Sequence, residues 1–584
     1  MSHDLVIRKG NIADGRGSPL FQADIAIDGG VISRVGNISE RGREELDARG
    51  LLVAPGWVDI HSHYDGQAFF EDRLLSSGWH GVTTTVMGNC GVGFAPLRPG
   101  QKDILIELME GVEDIQGPVL REGMDWEWET FNDFLCALDK RPHDMDICAQ
   151  FPHAAVRVYV MGERALKREK ATNEDIEEMF RLTEEGIRAG ALGFTTSRTQ
   201  NHRTLAGDLI PCYDVDPNEL IGIARALRAA GTGVMQMISD LTPERRPREY
   251  KIMRGMMEAA HRPLSITILQ QNRDPDGWRD FMRMIDEAVA DGLDMRAQVA
   301  PRPIGTLFGL DLGRHGLVYH PSYKKIAHKT IEERVRIMRN PEFRRQILNE
   351  KPDHHIEQQV RRVRNFQWQF PFGDPPDYAP PKHSSIQAVA DRTGKSVDEV
   401  TFDLLLEDDG WQMIFSPNNN YADYTLNACK ELLEHPRAVV SLSDGGAHMG
   451  HICDVSYSTF LLTYWARDRK EGALDTSWLI KRMTGDAAAA VGLLDRGILA
   501  PGYKADVNLI DHERLTIKKP VMRNDLPLGA KRLVQKAEGY VATIKAGQVT
   551  WCEGEPTQAL PGKLIRGAQS APRAAQIRQF YTGI

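Results

Sequence analysis

Short apolar, β-branched runs alternate with longer charged segments of helical spacing through most of the chain. The runs are Leu52–Ile60, Val82–Met87, Asp146–Gln150, Ala191–Thr196, Gly233–Met237, Ser265–Gln270, Met295–Ala300 and Val439–Ser443, with Met413–Ser416 as an extra strand before the last. Near-continuous apolar strands separated by helices predict a parallel α/β sheet, and eight such repeats predict a TIM-like (β/α)8 barrel. The two ends read differently. Leu5–Arg8, Ile25–Asp28 and Val31–Val35 are short strands punctuated by Asp14-Gly15 and Asp28-Gly29-Gly30, and all-β text returns at Ala505–Ile510, Tyr540–Lys545 and Gly547–Trp551. A small β-sandwich domain built from both terminal segments is therefore expected beside the barrel.

On this division residues 1–52 form the N-terminal part of the β-domain, 53–498 the barrel, 499–560 the C-terminal part of the β-domain, and 561–584 a tail apolar enough to dock. Within the barrel, 313–381 breaks the alternation with basic helical text from Ile331 to Arg339 and a Pro-rich, aromatic stretch, Phe366–Pro381. An insertion after a barrel strand lies on the catalytic face, so this one reads as a lid.

Active-site groups in such a fold sit at the carboxyl ends of strands. The first ends in His61 and His63, two apart on one strand, so both imidazoles point the same way and can share a metal ion. Gly88-Asn89-Cys90-Gly91 follows the second strand, and Ser443-Asp444-Gly445 closes the last. Two imidazoles, a thiolate and a carboxylate at one mouth make a zinc set. Asp444 is the natural acid and base, able to take a proton from a metal-acidified water and pass it to a leaving nitrogen. Arg198, His202 and Arg203 follow the fourth strand, where a guanidinium suits a substrate carboxylate. His448 and His451 lie just beyond Asp444, with His448 the nearer candidate for substrate contact. Arg273, Arg302 and His153 are weaker candidates.

Net charge of −9 and a pI near 6.1 argue against nucleic acid or an anionic membrane as partner. No long uncharged apolar run occurs, and the first residues lack a signal peptide's apolar core. Seven scattered cysteines without a CxxC pair suit a reduced, cytoplasmic protein, possible as a homo-oligomer, acting on a small molecule.

Taken together, the split β-domain, His61-Ser62-His63, Gly88-Asn89-Cys90-Gly91, Ser443-Asp444-Gly445 and Leu499-Ala500-Pro501-Gly502 followed by Ala505-Asp506 resemble the amidohydrolase superfamily. More narrowly they resemble its N-acyl-D-amino-acid deacylase (D-aminoacylase) branch. The resemblance implies that His61, His63, Cys90 and Asp444 are metal-site residues and that Asp444 is also general base and acid. It implies a metal-dependent hydrolase of a non-peptide C–N bond, deacylating a small N-acyl amino acid or related carboxylate-bearing amide. The family's fifth and sixth strands each supply a histidine; here they end at Gln236 and Gln270, and no lysine ends the fourth. One zinc ion rather than two is then expected, held by His61, His63 and Asp444 with Cys90 as fourth ligand or neighbour. The two glutamines would hydrogen-bond substrate or water instead. Two other classes stay open: a barrel that lost catalysis and serves as a binding scaffold, and a metal-assisted lyase or decarboxylase.

Overall fold

The computed structural model describes residues 2–353 and 357–573, the side chains of 357–359 excepted; residues 354–356 of the expected lid and 574–584 of the expected tail lie outside it. Strands β1 (His3–Ile12), β2 (Phe21–Asp28) and β3 (Val31–Gly36) pair antiparallel, and β4 (Gly42–Asp47) runs parallel to β1. The single strand expected over Leu52–Ile60 is two. β5 (Leu52–Pro55) belongs to the same sheet as β1, whereas β6 (Trp57–Asp59) opens the parallel system. Gly56 is the joint: its N–H donates to Asp506 O at 2.9 Å, and a Cβ there would meet Thr83 Oγ1 at 2.1 Å.

Beyond β5 the N-terminal sheet is continued by the C-terminal part of the chain. Val507–Ile510 pairs antiparallel with β5 and with Tyr540–Lys545, which leads to Gln548–Cys552 and Glu555–Pro556, making nine strands in all. The two terminal segments thus share one sheet, where a two-sheet sandwich was expected, over a core that includes Ile7, Ile25, Val53, Val507 and Ile544. Buried charges tie it to the parallel strands. Asp146 accepts from Arg496 Nη1 at 2.6 Å and lies 2.8 Å from Lys545 Nζ, which Asp506 also holds at 2.8 Å.

All eight expected parallel strands have a counterpart; the first is cut to its last part, and the ends of the others shift by up to three residues. β6 pairs with β7 (Val82–Met87) and β7 with β8 (Asp146–Ala149). After Gln150 the chain continues as β9 (Phe151–Pro152), and β9, β10 (Gly193–Arg198), β11 (Val234–Ser239), β12 (Leu264–Thr267), β13 (Met295–Val299) and one later strand form a six-stranded parallel sheet. β7 shows why these segments are strands: Val, three Thr, Val and Met are all buried, and β-branched side chains pack well on a pleated surface. The intervening helices carry their own signals. Asn173–Ala189 begins with a Thr172/Asp175 capping box and ends at Gly190.

After β13 the chain leaves the parallel system. β14 (Gly305–Phe308), β15 (Phe370–Phe372) and β16 (Met413–Pro417) form an antiparallel sheet with β16 in the centre, so the extra strand expected near Met413 belongs here. Helices Ile331–Met338 and Pro341–Asn349 pack beside it over a separate apolar core including Phe308, Leu317, Tyr323, Val335 and Phe402. β17 (Ala438–Val440) then joins β13. The described part of the tail docks along β8: Ile147 N–H donates to Lys563 O and Ile565 N–H to Ile147 O, and Gly567 N–H reaches Gly190 O.

Candidate metal centre and active site

One backbone bond and one side-chain network bring the carboxyl ends of β6 and β17 together. His63 N–H donates to Gly445 O at 2.7 Å. Ser443 Oγ donates to Asp59 Oδ2 at 2.5 Å and lies 3.0 Å from His61 O, while Gly445 N–H donates to Ser443 Oγ at 2.9 Å. Asp59 Oδ1 in turn accepts from the His61 N–H at 3.2 Å. Burial raises the Asp59 carboxyl to about 7, so below neutrality it holds a proton inside this network.

The turn bearing Cys90 is held from several sides. Asp65 Oδ2 accepts from Gly88 N–H at 3.1 Å, Thr195 Oγ1 donates to Gly88 O at 2.6 Å, and Gly91 N–H reaches Thr195 Oγ1 at 3.1 Å. Gly91 is obligatory here: φ is +71°, and a Cβ would lie 2.8 Å from Thr196 Cα. Cys90 has φ +56°, and Asp444 and His448 lie at +48° and +52°. Left-handed backbone at a non-glycine costs about 1–2 kcal/mol, and three such residues persist only because their surroundings hold them.

His61, His63 and Cys90 place donor atoms within 4.8 Å of one another, all buried. Cys90 Sγ lies 3.4 Å from His61 Nε2, and Asp444 Oδ1 lies 3.5 Å from His61 Nε2 and 3.8 Å from His63 Nε2. Asp444 keeps 17% of its side chain exposed against 2% and 1% for the histidines, so of these three it is the one open to the mouth. His61 Nδ1 is 2.7 Å from Gln298 Oε1. That carbonyl accepts only, so Nδ1 carries the proton and the Nε2 lone pair points inward. Nitrogen and sulfur donors converging on one point are the chemistry of a zinc-like cation.

The groups differ in how they hold their protons. Burial pushes the His61 imidazole down to about 4 and the Cys90 thiol up to about 12. Burial alone would raise the Asp444 carboxyl, but His63, His61 and His448 hold it well below the usual carboxylate range. Burial disfavours a charged His63, yet Glu113, Asp444 and Cys90 raise it well above its ordinary value.

The remaining expected residues divide. His202 lies close enough to His448, His63, Asp444 and His61 to feel their charge, and Ser197 Oγ holds its Nδ1 at 2.9 Å. His448 Nε2 is 3.8 Å from Glu113 Oε2. Gln236 Oε1 accepts from Cys90 N–H at 3.0 Å, leaving its buried Nε2 without a partner among the described residues. Arg198 does not suit the expected substrate contact. Its guanidinium is fully buried, paired with Glu249 at 2.6 Å and Asp214 at 3.1 Å, and donates to Val215 O. Gln270 is claimed likewise, its Oε1 by Ala422 N–H at 3.1 Å and its Nε2 by Pro275 O at 3.4 Å.

The weaker candidates also have structural partners. His153 bridges Thr196 and Glu219, Arg203 donates to the carbonyls of Gln200 and Gly207, and His451 faces Asp114 at 3.6 Å. Arg302 stacks on Tyr378 at 3.7 Å beside Asp454. Sequence reasoning missed Gln298 and Glu113. Gln298 sits inside β13 and its polar signal in an apolar strand was available; Glu113 is one acid among several on its helix, with no spacing to mark it.

With this site on a parallel α/β scaffold joined to a two-segment β-sheet, the chain belongs to the amidohydrolase family, whose sequence profile matches residues 44–551. It is an enzyme of the class that hydrolyses carbon–nitrogen bonds other than peptide bonds, and within that family it resembles the D-aminoacylase branch. N-acyl-D-aspartate deacylase of Alcaligenes xylosoxydans xylosoxydans is 26% identical to it over 98% of this chain and 97% of its own length. D-aminoacylase of the same organism is 31% identical over 39% of this chain and 43% of its own length. Among solved structures, a D-aminoacylase with a binuclear metal centre superposes with TM-score 0.66 at 20% identity, covering 97% of this chain and all of its own. N-acyl-D-glutamate deacylase from Bordetella bronchiseptica, complexed with zinc and a phosphonate inhibitor, gives 0.64 at 20% identity over the same shares.

Proposed function

We propose that the protein is a metal-dependent deacylase of small N-acyl amino acids or related carboxylate-bearing amides. The observation that carries this reading is the convergence of His61, His63 and Cys90 on one point, with the Asp444 carboxylate at its open side. One zinc ion held by His61, His63 and Cys90, with Asp444 as a further ligand, is the occupancy these donors suit. When bound, the metal supplies Lewis-acid polarisation of the scissile carbonyl and lowers the pKa of the attacking water.

The chain's own groups do the rest. Asp444, ionised because three histidines surround it, takes the proton of the attacking water and returns it to the departing nitrogen. The unpartnered Gln236 Nε2 is the donor for the substrate's acyl oxygen, and His202 and His448 receive its carboxylate end.

On this reading the two parallel arcs form one (β/α)8 barrel closed by the Ser62–Gly445 bridge, spanning 53–498 between the two parts of the β-domain. The 313–381 segment, with its own core, serves as the lid. All seven cysteines are free thiols, which suits the cytoplasm, and no helix among the described residues is long and apolar enough to cross a membrane.

The test is amine release from a panel of N-acyl D- and L-amino acids by zinc-loaded protein. Turnover of a D- or L-series substrate is expected. Silence across the panel from protein that demonstrably holds zinc would sink the deacylase reading.

A further inference from the structure

The two histidines are built alike on their inner sides and differently on their outer sides. His61 gives its outer nitrogen to a neutral amide, Gln298 Oε1, at 2.7 Å. His63 turns its outer nitrogen, Nδ1, to the carboxylate of Glu113, with Oε1 at 3.4 Å. Both atoms are buried, and neither makes a hydrogen bond elsewhere among the described residues. Leaving two such groups unpaired is costly, and an approach of about 0.5 Å would convert the pair into a charge-assisted hydrogen bond.

Glu113 is held in place for this. It is the last residue of the helix Lys102–Glu113, which buries Leu105, Ile106 and Met109 and stops where Asp114 turns left-handed at φ +56°. Its backbone carbonyl accepts the His448 N–H at 2.5 Å, and its second carboxylate oxygen lies 3.8 Å from His448 Nε2. The neighbouring pair, Asp114 and His451 at 3.6 Å, registers the same two segments. One helix end thus grips both the His63 ring and the loop that follows Asp444.

We propose that Glu113 is a positioning residue for the metal site. Its carboxylate accepts the His63 Nδ1 proton, which fixes the ring's tautomer and orientation, leaves the Nε2 lone pair facing inward, and strengthens it as a donor. This rests on the metal reading above. Outer partners of ligating histidines are worth about 10–100-fold in metal affinity.

The experiment is zinc affinity of the full chain by competition with a chromophoric chelator, for wild type, His63→Ala, Glu113→Ala and Glu113→Gln, with metal-free melting curves beside it. Glu113→Ala is expected to weaken zinc binding about 10–100-fold. Glu113→Gln, which keeps an acceptor oxygen and the same shape, should recover most of the loss while its metal-free melting matches Glu113→Ala. If wild type binds zinc and His63→Ala loses it, but Glu113→Ala binds as tightly as wild type, the positioning role is wrong and the metal site stands. The positioning role is equally wrong if Glu113→Gln falls as far as Glu113→Ala. If wild type binds no zinc, or His63→Ala binds as well as wild type, the metal reading itself fails and the role of Glu113 falls with it.

Discussion

The carboxyl ends of β6, β7 and β17 and those of β10 and β12 carry equally polar residues, yet they are put to different use. On the first side His61, His63, Cys90 and Asp444 point donor atoms at one another, and the backbone around them is pinned by Ser443, Asp65 and Thr195. On the second side Arg198 is neutralised by Glu249 and Asp214, and Gln270 is bound by Ala422 and Pro275. Gln236 of β11 stands between: one end of its amide holds the Cys90 turn and the other is unpaired. A polar side chain at a strand end is available for chemistry only when no neighbour has already claimed it, and strand position alone does not reveal this.

The comparison breaks most sharply at Asp444. Asp444→Asn keeps the shape and removes the base, so kcat should fall about 10²–10⁴-fold in protein that is still folded at the assay temperature. A variant that keeps kcat would make Asp444 structural and erase the contrast between the two sides.

Arg198 should show the opposite profile. Arg198→Ala takes the closest cation from the buried Glu249 carboxylate and leaves it with Arg245 at 3.4 Å and the Ser239 hydroxyl at 2.9 Å, which costs at most about 3–5 kcal/mol of stability, while kcat/KM of the protein that remains folded is retained. Urea unfolding alongside kinetics reads both quantities. A large rise in KM without loss of stability would return Arg198 to the substrate.

A smaller effect separates the sides by pH. His80 precedes β7 and is fully buried, its Nε2 donating to Gln535 O at 3.2 Å and its Nδ1 accepting from Thr459 at 2.7 Å. Burial pushes its imidazole down to about 3. Between that value and about 6.5 the unfolded chain binds a proton that the folded chain refuses, so stability rises with pH across this window. The contribution is complete above about 6.5 and is lost on acidification at up to about 1.4 kcal/mol per pH unit. His80→Gln should be less acid-sensitive by that slope in urea melts at pH 4.5–7; parallel slopes would contradict it.

The smallest effect belongs to Gln270. Gln270→Ala removes two hydrogen bonds to a loop and should cost about 1–2 kcal/mol of stability, with KM changed less than twofold. A tenfold KM increase would place its amide on the substrate after all.

Much of this was legible in the chain. Strict two-residue spacing put His61 and His63 on one face, and β7 formed over Val82–Met87 because its β-branched residues have no competing helical period. The split of the first strand had a local mark, the Pro55-Gly56 dipeptide inside Leu52–Ile60, but only the close approach of Gly56 to Thr83 shows that the chain changes sheets there. Arg198 misled for a related reason. An arginine at the end of a strand carries no mark of the glutamate 51 residues later that pairs with it.

By itself, then, the sequence determined the alternation of strand and helix, the return of strand text at both ends and the chemistry of the residues offered where the strands end. Those features rest on local period and on residue chemistry, which the chain states directly. Tertiary structure decided which polar side chains stay free, that Gln298 and Glu113 stand behind the two histidines, and that the Met413–Pro417 strand serves a separate antiparallel sheet. These depend on partners brought together from distant parts of the chain, and whether a buried polar group is satisfied or left open is settled only by what packs against it.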